Sequence, residues 1–273
     1  MQTLKSQRSF RLDSRERAAL ERDGYLCREN AFAKSELVDI ADACEALIAR
    51  LLEEQRRPKV EAGAYVFEHL QSLETAVKWE KDNREVVLGI EPFAHLSKPL
   101  EAWAHDARFV DPMRDLLGTD DVMLFTEKLN VKRGLVGGPI VLHQDYPYWV
   151  GVAEDAAQVG TAIVFLDDST IENGCLEVVP GSHRDGETKR KMIEGFGANE
   201  MDKNQYDESK LVALEVPAGS VVYFGSLLVH ASAPNRTAGD RRALLYSYQP
   251  AGRRTLREVV FGPGRTKIAR PAR

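Results

Sequence analysis

The alternation of apolar and polar positions divides the chain into a helical first part and a later part made of short strands. From Ser35 to Leu52, apolar residues recur every three or four positions, which is the spacing of one buried helix face. A shorter helix is predicted from Ser14 to Arg22, ended by Gly24, and a third from Asp111-Pro112 to Gly118. The polar, irregular stretch from about 55 to 98 predicts a loop-rich cover.

From about residue 121 the pattern changes to short runs of β-branched and aromatic residues separated by turn residues. The runs are VMLFTEKLNV, PIVLHQD, TAIVFLDD, CLEVVP, LVALEVP, SVVYFG and ALLYSY. At least seven strands without intervening helical patterns predict an antiparallel sandwich or barrel. The polar stretch 184–210 is too long for a hairpin and predicts a lid loop.

No linker rich in Gly, Ser or Pro separates the two parts. We therefore expect a single domain over 1–273, with mainly helical support in 1–120 and the strand-rich core in 121–250. At 273 residues the chain is long enough for one such domain.

Charge and cysteine content narrow the class of protein. The 37 Lys and Arg against 42 Asp and Glu give a net charge of −5, which argues against nucleic acid and anionic membrane surfaces as partners. The three cysteines show no disulfide or zinc spacing and favour a reducing compartment. The charged N-terminus lacks the apolar core of a signal peptide, and no apolar run reaches the roughly 20 residues that span a bilayer. We expect a soluble, cytoplasmic protein.

Two histidines and one aspartate have the pattern of a metal site. His143 and Asp145 are two apart at the end of an apolar run, so on a strand they share a face. His230 ends another apolar run 85 residues after Asp145. Two histidines and one carboxylate, with the remaining positions open, form the ligand set of non-haem Fe(II) oxygenases. A His-x-Asp pair is also common on protein surfaces, so this pattern alone leaves both interpretations open.

Three longer segments carry a family resemblance. They are GGPIVLHQD, FLDDSTIENGCLEVVPGSH and VHASAPNRTAGDRRALLYSY. In this order, within residues 121–250, they resemble the phytanoyl-CoA dioxygenase family of Fe(II)- and 2-oxoglutarate-dependent oxygenases. RDGYLCRENAF and IEPFAHL are weaker matches nearer the N-terminus. The resemblance implies an α+β fold with a double-stranded β-helix core, a cupin-like jelly roll, and helices packed outside one sheet. The strand pattern independently predicts the same class.

The resemblance also implies the functional residues. His143, Asp145 and His230 match the family's iron ligands at the catalytic centre. Arg241, eleven residues after His230, matches the arginine that holds the distal carboxylate of 2-oxoglutarate, and Ser232 matches a contact to the same carboxylate. A guanidinium suits this role because it forms a bidentate pair with a carboxylate and stays charged when buried. Strand alternation places Arg241 and its neighbour Arg242 on opposite faces without choosing between them, and the family spacing chooses Arg241.

Further pocket residues are expected around this centre. Lys128 falls at a position that lines the co-substrate pocket in relatives, and Lys128, Asn130 and Lys132 alternate onto one strand face. Thr161 lies where relatives commonly place a tryptophan and is expected to contact the co-substrate. The remaining expected substrate-lining residues are Asn130, Tyr146 and Trp149.

The implied function is that of a dioxygenase which uses Fe(II), 2-oxoglutarate and O2 to oxidise an unactivated C–H bond of a small organic substrate, releasing succinate and CO2. Because Asp145 retains the carboxylate ligand, hydroxylation, desaturation or cyclisation is favoured over halogenation. A non-catalytic cupin-like metal protein, which would not need Arg241, and an interaction protein with a decayed site stay open. So does an acyl-CoA hydroxylase, for which the basic run 189–191 is the only obvious phosphate-binding candidate. Neither the substrate nor the oligomeric state is predicted.

Overall fold

The computed structural model describes residues 9–54, 58–62, 65–188, 190–192, 199–201, 206 and 208–262. The strands are, in chain order, β1 (Tyr25–Arg28), β2 (Val60–Ala62), β3 (Tyr65–Leu70), β4 (Thr75–Trp79), β5 (Val87–Glu91), β6 (Val122–Lys132), β7 (Ile140–His143), β8 (Gly160–Phe165), β9 (Leu176–Val178), β10 (Arg190–Met192), β11 (Asn199–Met201), β12 (Val212–Leu214), β13 (Val221–Gly225), β14 (His230–Ser232) and β15 (Arg241–Pro250). The α-helices are α1 (Ser14–Asp23), α2 (Lys34–Glu53), α3 (Lys98–Trp103), α4 (Ala107–Leu117), α5 (Tyr146–Trp149) and α6 (Leu256–Val260).

Two antiparallel sheets face each other. In the larger sheet the strand order is β1-β13-β8-β15-β6-β5-β4-β3-β2, and in the smaller it is β12-β9-β14-β7. One apolar cluster joins the facing surfaces of the two sheets, with Phe165 and Leu245 from the larger and Val178 from the smaller. A second cluster joins the other face of the larger sheet to α2, α3 and α4. This arrangement is the predicted α+β jelly roll with helices outside one sheet.

The register of β15 assigns its residues to the two faces. Arg241 pairs with Lys132, Ala243 with Asn130, and Leu245 with Lys128, all on the inner face toward the smaller sheet. The alternate residues Leu244, Tyr246 and Tyr248 pack in the cluster that includes the helices. The prediction that Lys128, Asn130 and Lys132 share one face is therefore confirmed.

The predicted stripe on the second helix is confirmed, because α2 buries Leu37, Ile40, Cys44, Leu47, Ile48 and Leu51. The first helix also forms as predicted, although Asp13 caps it and not Ser14, and Gly24 ends it at φ 82°.

The predicted start of the third helix at Asp111-Pro112 is wrong. Helix α4 begins at Ala107, capped by Asp106, and runs through Pro112 to the predicted end at Gly118. A proline inside a helix leaves the carbonyl four residues earlier without its usual donor. Here the Tyr223 hydroxyl donates to that carbonyl, on Arg108, at 2.8 Å, so the helix continues.

The prediction of a mainly helical 1–120 with a loop-rich cover at 55–98 is wrong for residues 60–91. Strands β2 to β5 lie there and extend the larger sheet beyond β6. Their inner face carries polar side chains such as His69, Lys78 and Glu91, which line a cavity. Polar residues on an enclosed face remove the simple apolar alternation by which strands are recognised.

The predicted lid over 184–210 lies partly outside the described residues. Within it the structure describes the antiparallel pair of strands β10 and β11. Closure over a site stays a prediction, as does the assignment of 1–273 to one domain. No helix in the described part of the chain is both long and apolar enough to cross a bilayer.

Candidate active site

A cavity of about 480 Å³ lies between the two sheets and contains most of the predicted site. The predicted residues that line it are Lys128, Asn130, His143, Asp145, Trp149, His230, Ser232 and Arg241. Its size is within the range of cavities that bind small molecules.

His143, Asp145 and His230 meet at one point in this cavity. One ligand atom from each lies within 4.8 Å of the others. Strand pairing brings the two histidines together, because His230 on β14 is directly opposite His143 on β7. Their ring centroids are 4.1 Å apart. The His143 Nε2 and the Asp145 Oδ1 are 3.8 Å apart. Two imidazoles and one carboxylate at this separation can bind one divalent metal ion on a single side, leaving positions open.

Backbone hydrogen bonds orient both imidazoles. Nδ1 of His143 lies 2.8 Å from the Val141 carbonyl oxygen, and Nδ1 of His230 lies 3.0 Å from the Leu228 carbonyl oxygen. A carbonyl can only accept, so each Nδ1 carries the proton and each Nε2 presents a lone pair to the cavity. Burial, together with His230 and Lys128, holds the pKa of His143 well below its ordinary value, which keeps this imidazole neutral as a metal ligand requires.

Asp145 reaches the site by a turn, not by continuation of the strand. Strand β7 ends at His143, and Asp145 is the N-terminal cap position of α5, with φ −73° and ψ −32°. The intervening Gln144 is buried and donates to the carbonyls of Gly186 and Leu227 at 2.8 and 2.7 Å. Its amide oxygen also accepts from the Thr188 backbone N–H. Gln144 thus fixes the turn that brings the two ligands together, a role that the sequence pattern did not indicate.

Arg241 is buried in the cavity, and its side chain has no hydrogen-bond or ion-pair partner among the described residues. Its side chain is 4% exposed, and its guanidinium carbon lies 5.9 Å from the Phe165 ring centroid. Within the described residues, neither its Nε nor the Ser232 Oγ has a hydrogen-bond partner. Burial lowers the pKa of Arg241 to about 10. A buried cation and a buried hydroxyl that lack acceptors and donors on the same cavity wall suit an incoming carboxylate.

Arg242 lies on the opposite face, as strand alternation predicts. Its guanidinium is 2.8 Å from Asp167 and 3.2 Å from Glu45, outside the cavity. The geometry therefore places Arg241, and not Arg242, beside the triad.

Lys132 is a buried cation next to Arg241. Its Nζ donates to the carbonyls of Gly138 and Ala233 at 2.6 Å each and to that of Ser232 at 3.4 Å. Burial and the neighbouring Arg241 lower the pKa of Lys132 to about 7. These bonds tie β6 to the residues that follow His230 and so hold the Ser232 backbone in place.

Two predicted pocket residues are not part of the cavity lining that the structure describes. Thr161 is buried two residues along β8 from Ile163, and its hydroxyl is 2.9 Å from that of Ser247. Ile163 and Phe165, on the same face of β8, line the cavity instead. Tyr146 packs against the apolar cluster that contains Trp149 but does not itself line the cavity, whereas Tyr148 and Trp149 of the same helix do.

Several lining residues were not predicted. His69, Lys78 and Glu91 lie on β3, β4 and β5, and Leu256 and Val260 come from α6. Once 60–91 is recognised as strands, alternation indicates the first three. Helix α6 is indicated by the capping box of Thr255 and Glu258, a sequence signal that the prediction of helices above did not include.

Comparisons with known proteins agree with this geometry. The sequence model described as Phytanoyl-CoA dioxygenase (PhyH) matches residues 20–243. The ectoine dioxygenase of Sphingopyxis alaskensis is 30% identical over 268 residues, covering 92% of this chain and 79% of that protein. A protein of Stutzerimonas stutzeri named "Probable alpha-ketoglutarate-dependent hypophosphite dioxygenase" is 27% identical over 212 residues, covering 75% and 71%.

A solved structure shows the same architecture. The crystal structure of EctD from S. alaskensis with 2-oxoglutarate and 5-hydroxyectoine superposes with a TM-score of 0.69 at 25% identity, covering 89% of this chain and 78% of that chain. The chain belongs to the phytanoyl-CoA dioxygenase family of Fe(II)- and 2-oxoglutarate-dependent oxygenases.

Proposed function

We propose that His143, Asp145 and His230 bind Fe(II), that Arg241 and Ser232 bind the distal carboxylate of 2-oxoglutarate, and that the protein oxidises a C–H bond of a small organic molecule. The observation that carries this proposal is the convergence of three ligand atoms within 4.8 Å in the cavity that also holds the unpartnered Arg241. The donor set fits the metal, since neutral imidazole and carboxylate suit ferrous iron. The buried guanidinium fits a dianionic co-substrate.

Each residue has a defined task in this proposal. The carbonyls of Val141 and Leu228 keep both Nε2 atoms unprotonated and aimed at the metal. Asp145 contributes the negative charge that partly neutralises the ion. Arg241 anchors the end of the co-substrate farthest from the metal and neutralises its charge away from water. When bound, iron and 2-oxoglutarate supply the oxidising chemistry with O2, with succinate and CO2 as products.

The reaction type follows from the ligand set. Because Asp145 supplies a carboxylate ligand, no position is left vacant for a halide, and we propose hydroxylation, desaturation or cyclisation. The apolar walls, which include Trp149 and Leu256, would exclude water from the reacting centre.

A small substrate is favoured over an acyl-CoA. A cavity of about 480 Å³ must hold both co-substrate and substrate, and the relatives reported above are named for small molecules, ectoine and hypophosphite. The basic run 189–191, considered for a CoA phosphate, lies partly outside the described residues. We also retain a cytoplasmic location as part of the proposal, supported by the three unpaired cysteines.

The decisive experiment is calorimetric titration of 2-oxoglutarate into anaerobic protein with and without Fe(II). We expect binding that requires the metal and is lost in Arg241→Met. Succinate formation in air with ascorbate should follow the same pattern. A non-catalytic cupin-like protein would bind the metal but not 2-oxoglutarate, and that result would refute the proposal.

A further inference from the structure

Three charged residues line the cavity on neighbouring strands, apart from the metal ligands and Arg241. Lys78 is on β4, Glu91 on β5 and Lys128 on β6. The strand register places these residues near one another, because Lys78 on β4 pairs with Gly89 on β5, and Gly89 pairs with Asn130 on β6. Both lysines line the same cavity as Asp145 and the two histidines of the triad.

Among the described residues, only one of the two lysines has a counter-ion. The Lys128 Nζ is 3.5 Å from Glu91 Oε2, while Oε1 of Glu91 accepts from the Thr126 hydroxyl at 3.1 Å. The side chain of Lys78 has no hydrogen bond or ion pair with the described residues. Its Nζ lies 4.1 Å from the Tyr65 ring centroid. A cation in a cavity without a counter-ion is costly, and an aromatic face only partly compensates.

The chain leaves space beside these amines. Gly89 lies between Lys78 and Asn130, and a Cβ at this position would come within 3.0 Å of the Leu129 carbonyl oxygen and 3.2 Å of Asn130 Oδ1. A recess of about 50 Å³ lies against Lys78, Gly89, Glu91 and Lys128. It is large enough for a small acidic group.

The co-substrate does not account for this recess. Lys132 pairs with Arg241 and Lys128 with Leu245, so Lys128 is about 13 Å along β6 from the Arg241 end at 3.3 Å per residue. In the proposed function, one carboxylate of 2-oxoglutarate is held by Arg241 and the other is bound at the metal. With Fe(II) and 2-oxoglutarate bound, the positive charges in the cavity are the two of the metal and one each on Lys78, Lys128 and Arg241. The negative charges are the two of 2-oxoglutarate and one each on the carboxylates of Asp145 and Glu91. One positive charge therefore remains unbalanced, and Lys78 is the cation without a partner among the described residues.

We propose that the substrate is a small organic monoanion whose acidic group binds between Lys78 and Lys128, with its carbon skeleton directed toward the triad. This inference rests on the proposed function and assigns Lys128 to the substrate instead of the co-substrate. Trp149 and Val152, which also line the cavity, provide the apolar surface for the skeleton. Burial and Lys128 lower the pKa of Lys78 to about 8, and the negative charge of an anion in the recess would favour the protonated amine.

The test uses anaerobic protein loaded with Fe(II) and 2-oxoglutarate, titrated with three matched pairs of probes. They are butyrate and butyramide, hexanoate and hexanamide, and cyclohexanecarboxylate and its carboxamide. We expect wild type to bind at least one carboxylate tenfold or more tightly than its amide. Lys78→Met should reduce that preference below threefold, and Lys78→Arg should retain it. In all variants the Kd of 2-oxoglutarate should change by less than threefold.

The matched control is Lys59→Met. Lys59 also lies over an aromatic ring of the larger sheet, 3.9 Å from the Trp79 centroid, but it does not line the cavity. The Lys59→Met variant should bind every probe with the same Kd as wild type. If Lys78→Met does not give a wild-type circular dichroism spectrum, Lys78→Gln and Lys128→Met carry the same expectation.

Two results would overturn the inference while leaving the proposed function intact. One is equal affinity for acid and amide in all three pairs. The other is a tenfold or greater loss of 2-oxoglutarate affinity in Lys78→Met, which would assign the lysine to the co-substrate. Failure of wild type to bind 2-oxoglutarate with Fe(II) would instead refute the proposed function itself.

Discussion

Two adjacent arginines at the start of β15 should respond in opposite ways to the same substitution. Arg241→Met removes a buried cation that has no partner among the described residues, whereas Arg242→Met removes one that pairs with Asp167 and Glu45. Methionine keeps much of the side-chain length and adds no charge, so the two variants differ mainly in what each guanidinium contacts.

The magnitudes follow from these environments. Loss of a buried partner to a carboxylate costs about 2–5 kcal/mol, and each 1.4 kcal/mol is about tenfold, so Arg241→Met should weaken 2-oxoglutarate binding by roughly 30-fold or more. Burial lowers the pKa of Arg241 from 12.5 to about 10. Below that pH the folded protein therefore carries the charge at a cost of about 3 kcal/mol. Without metal or co-substrate, Arg241→Met should thus raise the free energy of unfolding by about 1–3 kcal/mol.

Arg242→Met should show the reverse pattern. It leaves Asp167 without its guanidinium partner, whereas Glu45 keeps Arg133 at 2.6 Å. Hydrogen bonds to charged groups contribute about 1.5–3 kcal/mol each when shielded from water. Because the Arg242 side chain is 19% exposed, we expect a loss of about 1–2 kcal/mol in unfolding free energy. Binding of 2-oxoglutarate should change by less than about threefold.

Thermal unfolding with and without Fe(II) and 2-oxoglutarate measures both effects. Saturating co-substrate at about a hundred times its Kd should stabilise wild type by about 2.7 kcal/mol. Arg242→Met should retain this ligand-induced increase in Tm, and Arg241→Met should lose it. A large loss of ligand stabilisation in Arg242→Met, with a normal response in Arg241→Met, would refute the assignment of faces on β15.

Four further changes test the site and its support. His143→Ala should reduce bound Fe(II) from one per chain to near zero. His183→Ala should keep the iron, because the His183 ring bonds a backbone carbonyl outside the cavity. Equal iron content in the two variants would show that His143 is not a ligand. Asp145→Gly should keep the wild-type circular dichroism spectrum and lose succinate formation, and undiminished turnover would contradict its role as a ligand. Lys132→Met leaves the partly buried carbonyls of Gly138 and Ala233 without this donor and should lower the free energy of unfolding by about 2–4 kcal/mol. The pKa of Lys132 is about 7 in the folded protein and 10.5 in the unfolded chain, so the unfolded chain binds more protons between these pH values. The free energy of unfolding of wild type should therefore rise from pH 7 to 10, and that of Lys132→Met should rise less. Burial raises the pKa of Glu127 from 4.5 to about 7, so the folded chain binds more protons than the unfolded chain between these pH values. The free energy of unfolding should therefore fall by up to about 3 kcal/mol as the pH rises through this range. Urea titrations at pH 5 and 7.5 should show this fall in wild type and not in Glu127→Gln.

The sequence predicted those features that depend on local periodicity or fixed spacing. The helical stripe of α2 and the strands of the core follow from the three-to-four and two-residue periods. The triad and Arg241 follow from their spacing in segments that resemble the family. In each case the information lies within a few neighbouring residues or in a motif that does not change with the rest of the fold.

What the sequence did not predict depends on partners distant in the chain. Pro112 is tolerated in α4 because the hydroxyl of Tyr223, over a hundred residues later, bonds the freed carbonyl. Gln144 holds the turn to Asp145 through backbone groups of Gly186 and Leu227. No local pattern indicates these bonds.

Strands β2 to β5 were missed for a different reason. Their inner positions face the cavity, so residues such as Lys78 and Glu91 occupy sites where a simple sheet would present apolar side chains. These polar positions remove the alternation by which a strand is recognised.

Contacts on the helical side of β15 determine whether Arg241 or Arg242 lies in the cavity. The hydroxyls of Tyr246 and Tyr248, on the outer face of β15, donate to the carbonyls of Leu100 and Ala104 at 2.9 and 2.6 Å. A shift of β15 by one residue would turn these tyrosines inward and leave both hydroxyls without their acceptors. The same shift would replace Arg241 by Arg242 in the cavity. Contacts in the helical layer, outside the cavity, therefore determine which guanidinium lies in the cavity with the triad.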